Sequence, residues 1–150
     1  MFKEIVEKGL YCFHESFDSW QDSIVASCQP LIDHNVIDSR YVDSIFESIK
    51  KFGPYIVLAP NVAMPHSMEN CEGVFGTEVG FMRVEKPVHF EENNPDKDAR
   101  IFFVLSSIDA ESHMNQMVEL ATLLSNKEFV NACINAKTKE DLLKIDELFD

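Results

Sequence analysis

The stretch RIFFVLS, Arg100 to Ser106, places five apolar residues in a row between polar ends. Successive side chains of a strand point to opposite faces, so a run that is apolar at every position has to be covered on both. The chain therefore needs a sheet with a layer on each side. Its remaining segments have to supply those layers.

Upstream, Asp18 and Ser19 precede a stripe of Trp20, Ile24, Cys28 and Leu31 at helical spacing, although Pro30 is expected to kink this helix or break it near Ala26. Ser39 or Asp38 caps a second helix with the stripe Tyr41, Ile45, Ile49 and Phe52, and Gly53-Pro54 after Lys50 and Lys51 stops it. The period then changes. Tyr55 to Leu58 reads as a short buried strand, followed by the loop APNVAMPHS, Ala59 to Ser67. Gly76 to Glu85 and Pro87 to Phe90 are further strands, and EENNPDKDAR, at 91–100, is an exposed loop. Three helical stretches close the chain. Ser112 caps the first, which buries Met114, Met117, Val118, Ala121 and Leu124; Lys127 to Asn135 is short; Thr138 and Asp141 form a capping box for the last. Helices, strands and helices in that order predict an α/β fold: a single-domain sandwich over 1–150, with a central mixed β-sheet flanked by helices on both faces.

The formal net charge of −13, from 26 acidic and 13 basic residues, argues against a nucleic-acid or anionic-lipid partner, because both require a positive face. A basic protein partner suits it better. No apolar run reaches the roughly 18 residues of a membrane span. The start, MFKEIVEKGL, has acids where a signal peptide has a basic flank, so a cytoplasmic protein without membrane insertion is expected. Cys12, Cys28, Cys71 and Cys133 are scattered without metal-site or disulfide spacing, which fits reduced thiols and neither a metal nor a cofactor. The twelve phenylalanines leave room for an apolar contact surface and a homo-oligomer.

Chemistry rests on the histidines. His14 would share a strand face with Cys12, His34 sits at a helix end where the dipole favours a cation, and His89 alternates outward in PVHF. His113 falls just after Ser112 at the start of a helix, a location that binds phosphate and keeps an imidazole neutral. His66 follows Pro65, which stiffens the backbone ahead of it. A neutral imidazole is a competent nucleophile near pH 7, with one nitrogen attacking while the other is oriented by a hydrogen bond. No motif for acyl transfer or nucleotide binding accompanies it, which leaves phosphoryl transfer through histidine open.

GPYIVLAPNVAMPHS resembles the active-site segment of the enzyme IIA components of the bacterial phosphoenolpyruvate-dependent sugar phosphotransferase system, in the mannitol/fructose class and nearest its L-ascorbate-type branch. Similarity extends through SWQDSIV, RYVDSIFESIKKFGPY and SSIDAESHMNQMVELATLLSN to the last helix, so one enzyme IIA type 2 domain is expected over 1–150. The resemblance implies a phosphotransferase working through phosphohistidine. His66 would accept phosphate from the histidine phosphocarrier protein and pass it to a cysteine of enzyme IIB, serving the membrane enzyme IIC indirectly. His113 matches a second family histidine beside the first. Its N–H and the helix N-terminus would stabilise the phosphoryl group, and the four cysteines would belong to packing. An acidic surface would steer the carrier electrostatically, and Val62, Met64 and Met68 would form a shallow apolar docking face.

The chain departs from the family pattern twice. Met68 stands where ascorbate-type relatives often have arginine, with Lys50 or Arg83 as candidate substitutes. Asn61 replaces a usual glycine, and asparagine tolerates left-handed backbone. A free-standing regulatory module of the same fold, read by a partner through its phosphorylation state, is the alternative to a transport component.

Overall fold

The computed structural model describes residues 1–68 and 72–149. Its strands are β1 (Tyr11–His14), β2 (Val57–Ala59), β3 (Asn61–Ala63), β4 (Glu78–His89) and β5 (Asp98–Ser106). Its helices are α1 (Phe2–Glu7), α2 (Trp20–Asp33), α3 (Ser39–Phe52), α4 (Ala110–Leu124), α5 (Lys127–Asn135) and α6 (Lys139–Phe149). The sheet order is β1-β4-β5-β3-β2, with β1 parallel to β4 and β3 parallel to β5, while the β4–β5 and β2–β3 pairs are antiparallel. This is the mixed sheet expected from the sequence.

β5 lies at its centre, and Ile101 to Leu105 are fully buried. Phe103 packs with Phe81 and with Phe2 of α1, whereas Phe102 packs with Phe90, which also meets Trp20 of α2. Adjacent residues of a strand point to opposite faces, so these contacts place α1 and α2 in layers on opposite sides. α5 joins α1 through Phe129 on Phe2.

Several elements differ from expectation. α2 passes through Pro30 instead of breaking near Ala26. Proline removes the N–H that would bond the carbonyl four residues earlier, and here the Ala26 carbonyl accepts instead from the Cys12 thiol at 3.7 Å. Asp38, of the two candidates, caps α3, and Phe52 at the end of its stripe is 50% exposed. The Tyr55–Leu58 segment supplies not a buried strand but the short edge strand β2, with Leu58 at 51% exposure. The two strands expected over 76–90 are one, β4, whose register shifts between Arg83 and Val88 and so accommodates Pro87 outside the regular ladder. β5 begins at Asp98, inside the segment read as a loop. The α6 capping box forms as read: Asp141 N–H donates to Thr138 Oγ1 and Thr138 N–H to Asp141 Oδ2, both at 3.2 Å.

α1 carried too few residues to show a period. Its first amides are capped from α6, where Asp146 accepts from the N–H groups of Phe2 at 3.0 Å and Lys3 at 2.6 Å.

Candidate active site

β3 was read as loop, yet it is what delivers His66. Pro60 and Asn61 turn the chain from β2 into β3, with Asn61 at φ 75°, the left-handed conformation that asparagine tolerates. Val62 and Ala63 then pair with Ile101 and Phe102 of β5. Beyond the strand, the Leu105 N–H donates to the Pro65 carbonyl at 3.1 Å, so the segment tracks β5 to its carboxyl end. β5 leaves the sheet there and turns into α4. Two parallel neighbours thus end side by side, and the residues that follow them converge at the edge where open α/β sheets place their sites.

His66 and His113 converge there, with ring centroids 5.5 Å apart and planes 41° from one another. His66 is 4% exposed and His113 half-buried. His66 Nδ1 lies 2.6 Å from the Met64 carbonyl oxygen, which can only accept; Nδ1 therefore carries the proton and Nε2 the lone pair. Burial lowers the His66 pKa below its ordinary 6.5, the Met64 hydrogen bond opposes that, and the nearby His113 adds to the lowering. The imidazole is thus neutral at pH 7, with a single tautomer and a free nucleophilic nitrogen.

α4 is capped by Asp109, not Ser112: the Ser112 N–H donates to Asp109 Oδ1 at 2.7 Å, and this holds the Asp109 carboxyl below the usual range. A carboxylate thus sits at the helix N-terminus, one turn before the His113 imidazole that faces His66. The expected buried stripe of α4 is also turned outward. Met114 and Val118 are 60% and 59% exposed, Ala121 is exposed, Met117 and Leu124 are half-buried, and Gln116 and Leu120 face inward. Gln116 Nε2 donates to the carbonyls of Ser106 at 3.0 Å and Glu78 at 3.2 Å, and these bonds to strand ends set the helix rotation. Periodicity does not encode a polar anchor of that kind.

Val62 and Met64, expected on a docking face, are 2% and 1% exposed and belong to the core: Val62 pairs with β5 within β3, and the Met64 N–H, just past the strand, donates to the Ile56 carbonyl at 2.8 Å. Met68, at 55%, remains outside, as do Ile108 and the outer residues of α4. Arg83 cannot replace a family arginine at Met68: its Nε donates to the Ile134 carbonyl at 2.7 Å and its guanidinium pairs with Glu85 at 2.5 Å. Lys50 is exposed on α3. His14 is exposed on the edge strand β1, His34 Nδ1 donates to the Pro30 carbonyl at 2.8 Å, and exposed His89 pairs with Asp98 at 2.7 Å. Cys28 and Cys133 are buried and Cys12 half-buried, and burial pushes the Cys12 and Cys28 thiols up to about 12; Cys71 lies outside the described residues. Among the described residues no group of three or more His, Cys, Asp or Glu could hold a metal, and no helix is long and apolar enough to cross a membrane.

Tyr41, Ser48 and Tyr55 bond to the backbone of His66, Ser67 and Met68, contacts that the sequence reading, which placed Tyr41 in a helix stripe and Tyr55 in a strand, did not foresee. Tyr41 and Ser48 lie seven residues apart on α3, one helical face, and that spacing was the available signal.

The model of the phosphoenolpyruvate-dependent sugar phosphotransferase system EIIA 2 family matches residues 4–147. The mannitol-specific cryptic phosphotransferase enzyme IIA component of Escherichia coli (strain K12) is 33% identical over 139 residues, covering 93% of this chain and 92% of that one. The ascorbate-specific PTS system EIIA component of Salmonella typhimurium is 31% identical over 132 residues, covering 84% and 83%. A solved complex of enzyme IIA mannitol with phosphorylated enzyme IIB mannitol from Escherichia coli contains a chain similar in fold, with a TM-score of 0.78 and 18% identity over 91% of this chain and 92% of that one.

Proposed function

This chain belongs to the EIIA type 2 family of the phosphoenolpyruvate-dependent sugar phosphotransferase system, and we propose that within that system it carries phosphate on His66 Nε2. The observation that carries the reading is the Nδ1 bond to the Met64 carbonyl, which leaves Nε2 with its lone pair beside His113. Nε2 attacks the phosphorus of a phosphohistidine on the histidine phosphocarrier protein. The new N–P bond forms as the donor N–P bond breaks, and the donor imidazole keeps that electron pair. A cysteine thiolate of enzyme IIB then attacks the same phosphorus, and the electron pair of the broken bond returns to Nε2.

His113 donates a hydrogen bond to the phosphoryl oxygens, a charge-assisted interaction that needs no metal. The small exposure of His66 requires the donor to dock closely and keeps bulk water from the phosphorus. The −13 charge steers a basic carrier face, and exposed Met68, Ile108 and Met114 supply apolar contact. The solved pairing of a fold relative with phosphorylated enzyme IIB supports enzyme IIB as the acceptor here. The reading puts the protein in the cytoplasm, where the carrier is, with enzyme IIC reached only through enzyme IIB.

Incubation with phosphoenolpyruvate, the system's general enzyme and the histidine phosphocarrier protein tests this. The expected result is an acid-labile phosphate by intact mass, absent in His66→Ala and discharged by a cognate enzyme IIB. Phosphate that loads on His66 but passes to no enzyme IIB would favour a regulatory module. A folded wild-type protein that takes up none would defeat the carrier role.

A further inference from the structure

Each residue from Pro65 to Met68 is fixed by a bond to another element. The Leu105 N–H donates to the Pro65 carbonyl at 3.1 Å, and the Tyr55 hydroxyl donates to the His66 carbonyl. The Ser67 N–H donates to the Tyr41 hydroxyl at 3.3 Å, and the Met68 N–H to Ser48 Oγ at 3.1 Å. Tyr41, Ser44 and Ser48 share one face of α3, so a single helix holds two consecutive residues of the loop, with Ser44 and Ser67 hydroxyls 2.6 Å apart. The Tyr41 hydroxyl also donates to the Leu105 carbonyl at 2.6 Å, which ties the loop to the strand leading to His113.

Two consequences follow for His66. Its backbone is anchored on both sides, so the bond from Nδ1 to Met64 can aim Nε2 in one direction. The amides of Ser67 and Met68 are also engaged by protein oxygens, so they are not the donors that consecutive backbone N–H groups supply to an anion elsewhere.

Tyr55 contributes twice. Beyond its bond to the His66 carbonyl, its ring lies 5.2 Å from the imidazole at 88° and walls that side of the site. Burial pushes its hydroxyl up to about 12, so it remains a protonated donor wherever His66 is an active nucleophile.

We propose that Tyr55, supported by Tyr41 and Ser48, is a positioning residue for phosphoryl transfer at His66: it fixes the backbone and ring plane from which Nε2 attacks. The proposal rests on the carrier reading above. It assigns Tyr55 no contact with phosphorus and no proton transfer.

Tyr55→Phe keeps the ring and removes the hydroxyl. Single-turnover transfer from the phosphorylated carrier should slow about tenfold at saturation, the equivalent of one hydrogen bond of alignment, with the half-saturating carrier concentration unchanged. In the unphosphorylated protein, nitrogen-15 NMR of the imidazole should show one Nδ1–H tautomer in wild type and a mixture in Tyr55→Phe, with Ser48→Ala shifted the same way. A purely structural role would lower the melting temperature and move neither readout. Wild-type transfer rate with an unchanged tautomer in Tyr55→Phe overturns the proposal. Should wild type accept no phosphate at all, the carrier reading fails separately, and the tautomer comparison still decides whether Tyr55 positions His66.

Discussion

The imidazoles of His66 and His113 stand 5.5 Å apart, one at the end of a strand–loop unit and the other in the first turn of α4. On the carrier reading proposed above, removing the second ring takes away a donor to the phosphoryl group and leaves the nucleophile intact. His113→Ala should therefore still label on His66, about 10- to 100-fold more slowly, the range set by one hydrogen bond to a charged group. Rapid-quench transfer from the phosphorylated carrier measures this, and an unchanged rate would remove His113 from the mechanism.

Burial of His66 predicts a pH effect with a definite sign. Its folded pKa is lowered below 6.5, so between the two values the unfolded chain binds the extra proton. Its contribution to stability is intact above about pH 6.5 and lost as pH falls through the window below. Urea midpoints at pH 7.5 and pH 5 should drop more for wild type than for His66→Gln. Equal drops would mean that the imidazole is not held neutral by the fold.

Met68 is 55% exposed, so replacing it disturbs no core contact. Met68→Arg is expected to change stability by less than about 0.5 kcal/mol. It should raise the fraction of His66 phosphorylated at equilibrium with the carrier, because it adds a cation two residues from the accepting ring. Intact mass at fixed donor ratio reads that fraction; a decrease would place the guanidinium away from the phosphoryl group.

The α6 capping box gives a stability test remote from the site. Thr138→Ala removes the acceptor of the Asp141 N–H and should cost about 0.5–2 kcal/mol in chemical denaturation, with phosphate uptake unaffected. A loss of uptake would imply a coupling between α6 and the site that no contact described above provides.

The sequence alone determined the layered α/β plan, because a run apolar at five successive positions admits no exposed face. It also marked His66 and His113 as candidates, a proline-stiffened imidazole and a histidine at a helix start being local features that the family resemblance then joined. Tertiary structure decided what depends on partners distant in sequence. Asp146 caps α1 from the other end of the chain, and Cys12 takes the carbonyl that Pro30 frees, so one helix was missed and another was not broken. Gln116, bonded to two strand ends, turned Met114 and Val118 outward where periodicity had placed them inside. β3 shows the same limit: three residues carry little pattern, and only pairing with β5 makes them a strand that buries Val62 and aims His66. Local sequence marked His66 as the candidate; bonds from Tyr55, just ahead of the loop, and from Tyr41 and Ser48 on α3 fixed where it stands.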